Sequence, residues 1–341
     1  MQADDRAHEY LRGARNVKLL GLGASKEFAT GLADQLGVWL ASHEERDFED
    51  GEFKVRPLES VRGEHVFVCQ SLTSSNGQSA NDALARLLFL CGAAKDAGAD
   101  HVTAVVPYLA YARKDRRTKP RDPVTTRYVA QMFEAVGVDA ILTMDVHNPS
   151  AFENSFRIGK ENLEAAPLFA EHFAPLASVV ERTVVLSPDA GGVKRARALA
   201  ALLEGRCEKP VALAFMEKQR SEGRVSGELF AGDVEGAVVI VVDDLISGGT
   251  TLARAAAAAL ARGARSVHAA ATHGVLAAAA AETLGGAPLE SIVLTDTVNG
   301  VRRRGAFLGS KLRVLGSAPL FAAAIERWLG RAGPTAPLDP D

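Results

Sequence analysis

Two adjacent carboxylates, Asp243 and Asp244, close an apolar run in the stretch Val239-Ile-Val-Val-Asp-Asp-Leu-Ile-Ser-Gly-Gly-Thr-Thr-Leu252. A turn of small residues, Ser247 to Thr251, follows, and then an Ala-rich helix. Each part has a chemical use. A continuous Val/Ile run reads as a buried parallel strand. Gly248 and Gly249 let backbone N–H groups converge with no Cβ in the way. The hydroxyls of Ser247, Thr250 and Thr251, with the helix N-terminus, offer donors to an anion. Carboxylates beside such a cradle repel phosphate, so they suit sugar hydroxyls or a cation. The combination is built for a phosphorylated sugar.

Four further clusters carry reactive residue types. Arg113, Lys114, Arg116 and Arg117 form a dense cationic stretch after an apolar run, beside Tyr108 and Tyr111. Such a run is either a solvated loop or a phosphate-binding one. Asp145 and His147 end another apolar run, and Asp189 stands in Ser187-Pro-Asp-Ala-Gly-Gly192. Lys218 and Arg220 follow an apolar strand in a polar stretch that includes Gly223, which suits a mobile loop. Phe48, Asp50 and Glu52 surround a turn at Gly51.

The elements that must position these residues alternate along the chain. Strands are expected at Val17–Leu22, His65–Gln70, Val102–Val106, Ala140–Met144, Thr183–Leu186, Val211–Phe215, Val238–Val242, Ser266–Ala270 and Ser291–Thr295. Helices are expected at Phe28–Leu36, Asn81–Ala97, Thr125–Ala135, Val193–Leu203, Leu252–Arg262, Leu276–Thr283 and Leu320–Trp328. This alternation predicts an α/β fold with mainly parallel sheets flanked by helices. Ligands of such sheets sit beyond the strand C-termini, where the polar clusters fall. The two halves have the pattern of a diverged duplication. Domains are expected over 15–155 and 156–318, with the helix within 319–330 expected to pack back on the first. Residues 1–14 and 331–341 read as polar or Pro-rich tails.

Composition narrows the class. The chain has 341 residues, 47% of them hydrophobic, enough for two cored domains. A net charge of −3 provides no bulk field for nucleic acid. No apolar run is long enough to span a bilayer, and the polar N-terminus does not read as a signal peptide. Cys69, Cys91 and Cys207 lack metal spacing and fit a reducing cytoplasm.

The Asp243–Asp244 loop resembles the phosphoribosyl-pyrophosphate loop of type I phosphoribosyltransferases. Taken in order with Arg46–Phe53, Pro107–Arg117, Leu142–His147 and Leu186–Gly192, it is similar to the ribose-phosphate diphosphokinase family. The likeness runs from about Val17 to Leu329. It implies two phosphoribosyltransferase-like (type I) domains. It also implies an enzyme that passes the diphosphoryl group of ATP to ribose 5-phosphate. The resemblance gives Arg113, Lys114 and Arg116 to the ATP phosphates and Phe48, Asp50 and Glu52 to the adenine. His147 and Asp189 become the Mg²⁺-proximal pair, acting directly or through water, with Asp145 as an orienting partner of His147 in the alternative. Lys218 and Arg220 match the Lys-x-Arg of a mobile catalytic loop. Asp243, Asp244, Ser247, Gly248, Gly249, Thr250 and Thr251 are left for ribose 5-phosphate. In the family the adenine hairpin comes from a neighbouring subunit, which implies a homo-oligomer. The expected partners are these two substrates, without nucleic acid or membrane.

The chain departs from the family pattern in two places of note. Its loop reads Asp-Asp-Leu-Ile-Ser-Gly-Gly-Thr-Thr where the family commonly has Asp-Asp-x-x-Asp-Thr-Gly-Gly-Thr, and Lys114 stands where Gln is usual. Two alternatives stay open. A weakly active regulatory paralogue would retain nucleotide binding but turn over poorly. A phosphoribosyltransferase would not need the Phe48 hairpin or the Lys218/Arg220 stretch.

Overall fold

The computed structural model describes residues 17–75, 77–221 and 224–330, with backbone alone over 218–221 and 224–228. The expected tails lie outside the described residues. The described residues form two compact units, 17–163 with 317–330, and 164–316.

The first unit holds β1 (Val17–Gly21), α1 (Lys26–Leu36), β2 (His43–Asp47), β3 (Phe53–Pro57), β4 (His65–Cys69) and α2 (Ala80–Asp96). They are followed by β5 (His101–Val106), α3 (Thr125–Ala135), β6 (Ala140–Met144), α4 (Pro149–Ser155) and β7 (Gly159–Leu163). Five strands pair in the order β1-β4-β5-β6-β7, all parallel. The inner strands β4, β5 and β6 are largely apolar because both sheet faces are covered there, whereas the edge strand β7 is polar. Helix α2 starts on a capping box, in which Ser79 Oγ accepts from Asp82 N–H and the Asp82 carboxylate accepts from Ser79 N–H. Its buried face, including Ala83, Leu87, Leu90 and Cys91, joins the core formed with β4 and β5. Strands β2 and β3 form a separate antiparallel pair.

The second unit holds α5 (Ala166–Val179), β8 (Thr183–Ser187), α6 (Val193–Cys207), β9 (Val211–Ser221), β10 (Arg224–Ala231), β11 (Val238–Ile246) and α7 (Thr250–Leu260). Then come β12 (Ser266–Gly274), α8 (Ala280–Gly285), β13 (Ser291–Thr295), α9 (Val301–Arg304) and β14 (Leu312–Leu315). The strand order is β10-β9-β8-β11-β12-β13-β14, with β10 alone antiparallel. Helix α10 (Ala318–Trp328) returns to the first unit. There Phe321 meets Phe28 of α1 edge-on at 5.2 Å, and Arg327 pairs with Glu161 of β7.

Both units follow one plan. Five parallel strands pair in chain order, and a β-hairpin is inserted after the first strand and helix. In the second unit the hairpin joins the sheet edge through β9; in the first it stands apart.

Several boundaries differ from the sequence expectation. The units divide after Leu163 rather than 155, because Gly159–Leu163 pairs with β6. Strand β9 runs on to Ser221 instead of stopping at Phe215, because β10 supplies a partner. The helix expected at Leu276–Thr283 begins only at Ala280. Leu276 sits at φ +47, and its N–H goes to Ile246 O, so the chain turns first. Among the described residues no helix is long and apolar enough to cross a membrane.

Candidate active site

In the second unit the site begins where parallel strands end unevenly. Strand β8 pairs with β11 only as far as Leu186↔Val241, whereas β11 continues along β12 to Ile246↔Gly274. Asp243 and Asp244 therefore lie beyond the paired part of β8, on the strand C-terminal edge. Asp244 is buried and Asp243 half-buried. Asp244 N–H donates to Asp243 Oδ1 at 2.9 Å, and Leu245 N–H to Asp244 Oδ1 at 3.0 Å. Arg195 Nη1, one turn into α6, is 3.8 Å from Asp243 Oδ1. Burial, and then the adjacent Asp244 carboxylate, push the Asp243 carboxyl up to about 8, against the pull of Arg195. A site that raises a carboxyl this far favours whatever offsets its charge, a cation or hydroxyl donors.

The loop after β11 is held from behind. Ala277 N–H donates to Ser247 O at 3.1 Å, beside the Leu276–Ile246 bond. Gly249 is the N-cap of α7 at φ +81, and a Cβ there would lie 2.5 Å from Leu284 Cγ. Gly249 is thus required by both conformation and space. Gly248 has neither constraint: it lacks a left-handed φ, and a Cβ there would meet open space. Thr250 is exposed; Ser247 and Thr251 are half-exposed.

The turn after β8 carries Asp189. Its Oδ1 accepts Gly192 N–H at 3.0 Å, and its carbonyl accepts Ser187 Oγ–H at 2.7 Å. A Cβ on Gly192 would press on Ser187 Oγ at 2.7 Å. The turn is compact, and the Asp189 side chain is exposed. Lys218 and Arg220 belong to β9 beyond Ser187↔Phe215, its last pair with β8. Their backbone pairs with Glu228 and Val225 of β10, so a β-ribbon stands where a loop was expected. Their side chains lie outside the described ones.

In the first unit, the cationic stretch follows β5 at its C-terminal end. Arg113, Arg116 and Arg117 are exposed. Lys114 is engaged: its Nζ is 2.6 Å from Asp122 Oδ2 and 3.2 Å from Thr118 Oγ1. The Thr118 and Lys119 N–H groups also donate to Asp122 Oδ2, each at 3.0 Å. The Lys114 bond and these donors hold the Asp122 carboxyl well below the usual range. Lys114 therefore closes the loop as well as adding charge to it. Asn148 Nδ2 donates to Asp115 Oδ2, tying the stretch after β6 to the cationic loop. His147 is exposed and follows Asp145, which takes φ +38 while its N–H goes to Leu163 O.

The β2–β3 turn carries Phe48, Asp50 and Glu52. Phe48 N–H donates to Glu52 O at 2.8 Å, and Glu52 N–H to Asp50 Oδ1 at 3.1 Å. Gly51 supplies φ +90. Asp50 thus orders the turn. Phe48 is 41% exposed, with the Arg46 guanidinium 5.2 Å from its ring centre. An exposed aromatic ring on a rigid turn is available for stacking.

Among the described residues no group of three or more His, Cys, Asp or Glu gathers. A closed zinc-like cage is not formed by them. The donor set instead suits Mg²⁺, which takes one or two carboxylates and keeps water and phosphate oxygens as its other ligands. Asp189, exposed on a fixed turn, has that chemistry.

A family model described as the N-terminal domain of ribose phosphate pyrophosphokinase matches residues 17–137. A phosphoribosyl transferase domain model matches residues 159–283. The ribose-phosphate pyrophosphokinase 1 of Streptococcus pyogenes is 36% identical over 326 residues, covering 95% of this chain and 97% of that protein. The chain belongs to the ribose-phosphate pyrophosphokinase family. The ribose-phosphate pyrophosphokinase of Caldanaerobacter subterraneus subsp. tengcongensis is 38% identical over 317 residues, covering 93% of this chain and 96% of that protein. The crystal structure of phosphoribosylpyrophosphate synthetase from Mycobacterium smegmatis superposes with a TM-score of 0.84 at 32% identity, over 93% of this chain and all of that one. The family's two-domain α/β architecture is therefore present throughout. Arg195, Asp122 and Arg86 are residues that sequence reasoning passed over. Arg195 had one signal, its position a turn after Gly191-Gly192; the other two had none.

Proposed function

We propose that the protein transfers the diphosphoryl group of ATP to the anomeric hydroxyl of ribose 5-phosphate, giving phosphoribosyl pyrophosphate and AMP. The observation that carries this reading is the Asp243–Asp244 loop. A carboxylate pair, one member buried and the other half-buried, meets a glycine-capped helix start at one sheet edge, in a chain that matches pyrophosphokinases along nearly its whole length. The N–H groups of the loop and of α7 take the 5-phosphate, with the hydroxyls of Ser247, Thr250 and Thr251. Asp243 and Asp244 accept hydrogen bonds from the ribose hydroxyls. The first unit takes ATP, with Arg113, Lys114 and Arg116 toward its phosphates and Phe48 against its base. Asp50 and Glu52 hold the turn that presents Phe48.

In the reaction the anomeric oxygen forms a bond to the β-phosphorus as its hydroxyl proton passes to solvent. The bond from that phosphorus to the oxygen bridging to the α-phosphorus breaks, and AMP leaves with that oxygen. Lys218 and Arg220 stabilise the charge on the transferring group. Mg²⁺ would supply charge neutralisation for the phosphates, with His147 its candidate ligand in the first unit and Asp189 its candidate ligand in the second. We assign the protein to the cytoplasm, as a homo-oligomer in which the exposed Phe48 meets nucleotide at a subunit boundary.

The deciding experiment mixes the protein with Mg²⁺, ATP and ribose 5-phosphate and resolves nucleotides with time. AMP that appears only with the sugar phosphate, matched by phosphoribosyl pyrophosphate, supports the reaction. ADP in its place would mean transfer of a single phosphoryl group and overturn it. Nucleotide binding without turnover would favour the regulatory reading. Asp189→Ala is expected to raise the Mg²⁺ concentration for half-maximal rate by about tenfold. A Mg²⁺ titration superimposable on the parent's would remove Asp189 from the metal site.

A further inference from the structure

Arg86 sits in the middle of α2 among buried apolar neighbours and is only 6% exposed. Arginine is rarely buried this far unless it is paired. Its guanidinium reaches three residues of the β2–β3 hairpin. Nη2 donates to Asp47 Oδ1, Nη1 lies 3.8 Å from Glu45 Oε2, and Cζ stands 4.3 Å from the Phe53 ring centre. Asp47 and Phe53 face each other as the last register pair before the turn that carries Phe48. One side chain thus grips both strands at the base of that turn.

The hairpin depends on such a grip. Among the described residues its two strands pair with no other strand, and a lone two-stranded ribbon is marginal by itself. Val55 is buried, and Phe53 packs 5.3 Å from Phe89 of α2, so apolar contact keeps the hairpin attached. Apolar contact is non-directional and leaves the angle of the turn loosely set. Arg86 adds direction, because a planar guanidinium that is ion-paired and stacked has one good orientation. Glu45 extends the linkage: its Oε1 accepts Gly23 N–H and lies 3.0 Å from His43 Nε2. Burial would raise the Glu45 carboxyl, yet those bonds and Arg86 hold it below its ordinary value. Asp47 is largely exposed, so its ion pair taken alone is weak. The shared guanidinium makes the three contacts one device.

We infer that Arg86 is a positioning residue for the donor nucleotide: it fixes the hairpin so that Phe48 is presented to the base, and thereby sets affinity for ATP. This rests on the reading above that Phe48 meets the base. The test compares Arg86→Gln, Arg86→Lys, Asp47→Asn, the double variant Arg86→Gln/Asp47→Asn and Phe48→Ala in the full chain. KM for ATP, KM for ribose 5-phosphate, kcat and thermal midpoint are read for each. Arg86→Gln is expected to raise KM for ATP about tenfold, the scale of losing a charged hydrogen bond that holds a binding element, while KM for ribose 5-phosphate moves less than about twofold. Arg86→Lys should recover part of the loss. The double variant should be little worse than Arg86→Gln, because both changes break one contact.

If Phe48→Ala raises KM for ATP and Arg86→Gln does not, the inference fails and the hairpin reading stands. If Phe48→Ala leaves KM for ATP unchanged, the hairpin is not at the base and both fail. If Arg86→Gln lowers kcat and weakens both substrates together with a fall in thermal midpoint, and Arg86→Lys restores nothing, Arg86 is structural only.

Discussion

Lys218→Ala is expected to lower kcat by about two to three orders of magnitude while moving KM for ribose 5-phosphate far less. The charge acts where negative charge spreads over the transferring group, so its contribution is realised mainly in the transition state. The backbone geometry is consistent with this role. Strand β9 leaves its parallel partner after Ser187↔Phe215, and Lys218 comes three residues later, on the ribbon paired with β10 alone. The ribbon continues past the same sheet edge at which Asp243 and Asp244 lie. Steady-state rates at saturating ATP, Mg²⁺ and sugar phosphate decide the matter. A kcat within about threefold of the parent would remove Lys218 from the transfer step.

Asp243→Asn should reduce kcat/KM for ribose 5-phosphate by about 10- to 100-fold, because hydroxyl donors of the bound sugar draw the carboxyl to its charged form and an amide cannot follow. The same substitution should alter how stability depends on pH, in a direction that burial sets. In the folded chain Asp243 keeps its proton up to about 8. The unfolded carboxyl gives it up near 3.9. Between those values the native state binds more protons than the unfolded state, so this group's contribution to stability is full below about pH 4. It is lost progressively as pH rises to about 8. Asparagine does not titrate. Relative to the parent, the variant should therefore gain in thermal midpoint from pH 5 to pH 8 and gain no more above it. Thermal scans without substrate or metal at several pH values test this. Midpoints that run parallel for the two proteins would show that Asp243 is ionised throughout, with Arg195 outweighing burial.

Some of this molecule was legible residue by residue. The Val/Ile runs of β4, β5, β6, β8, β11 and β13 declare buried strands, because a strand covered on both faces needs apolar side chains at consecutive positions. The Asp-Asp run followed by Gly-Gly marks a loop at a strand end for a similar reason. A left-handed residue over a close-packed leucine admits little else than Gly249, and the constraint is written at a single position. The cationic cluster after β5 and the Asp189 turn after β8 were placed by the same local logic, at the ends of apolar runs.

What the tertiary structure alone decided are the pairings between residues far apart in the chain. Arg86 and Asp47 are 39 positions apart, and no period in either segment announces their contact. Lys114 is one more cation of its stretch in the sequence; the fold also gives it Asp122, so that it closes its own loop. Gly159–Leu163 is polar and short; only the open edge of β6 makes it a strand. Met216–Ser221 became a strand because β10 came back beside it. The protonation of Asp243 belongs to this class as well, since it depends on how much water the completed sheet edge excludes. Hydrophobic period is a property of neighbours in sequence. Ion pairs, strand edges and desolvation are properties of neighbours in space, and these exist only once the chain has packed.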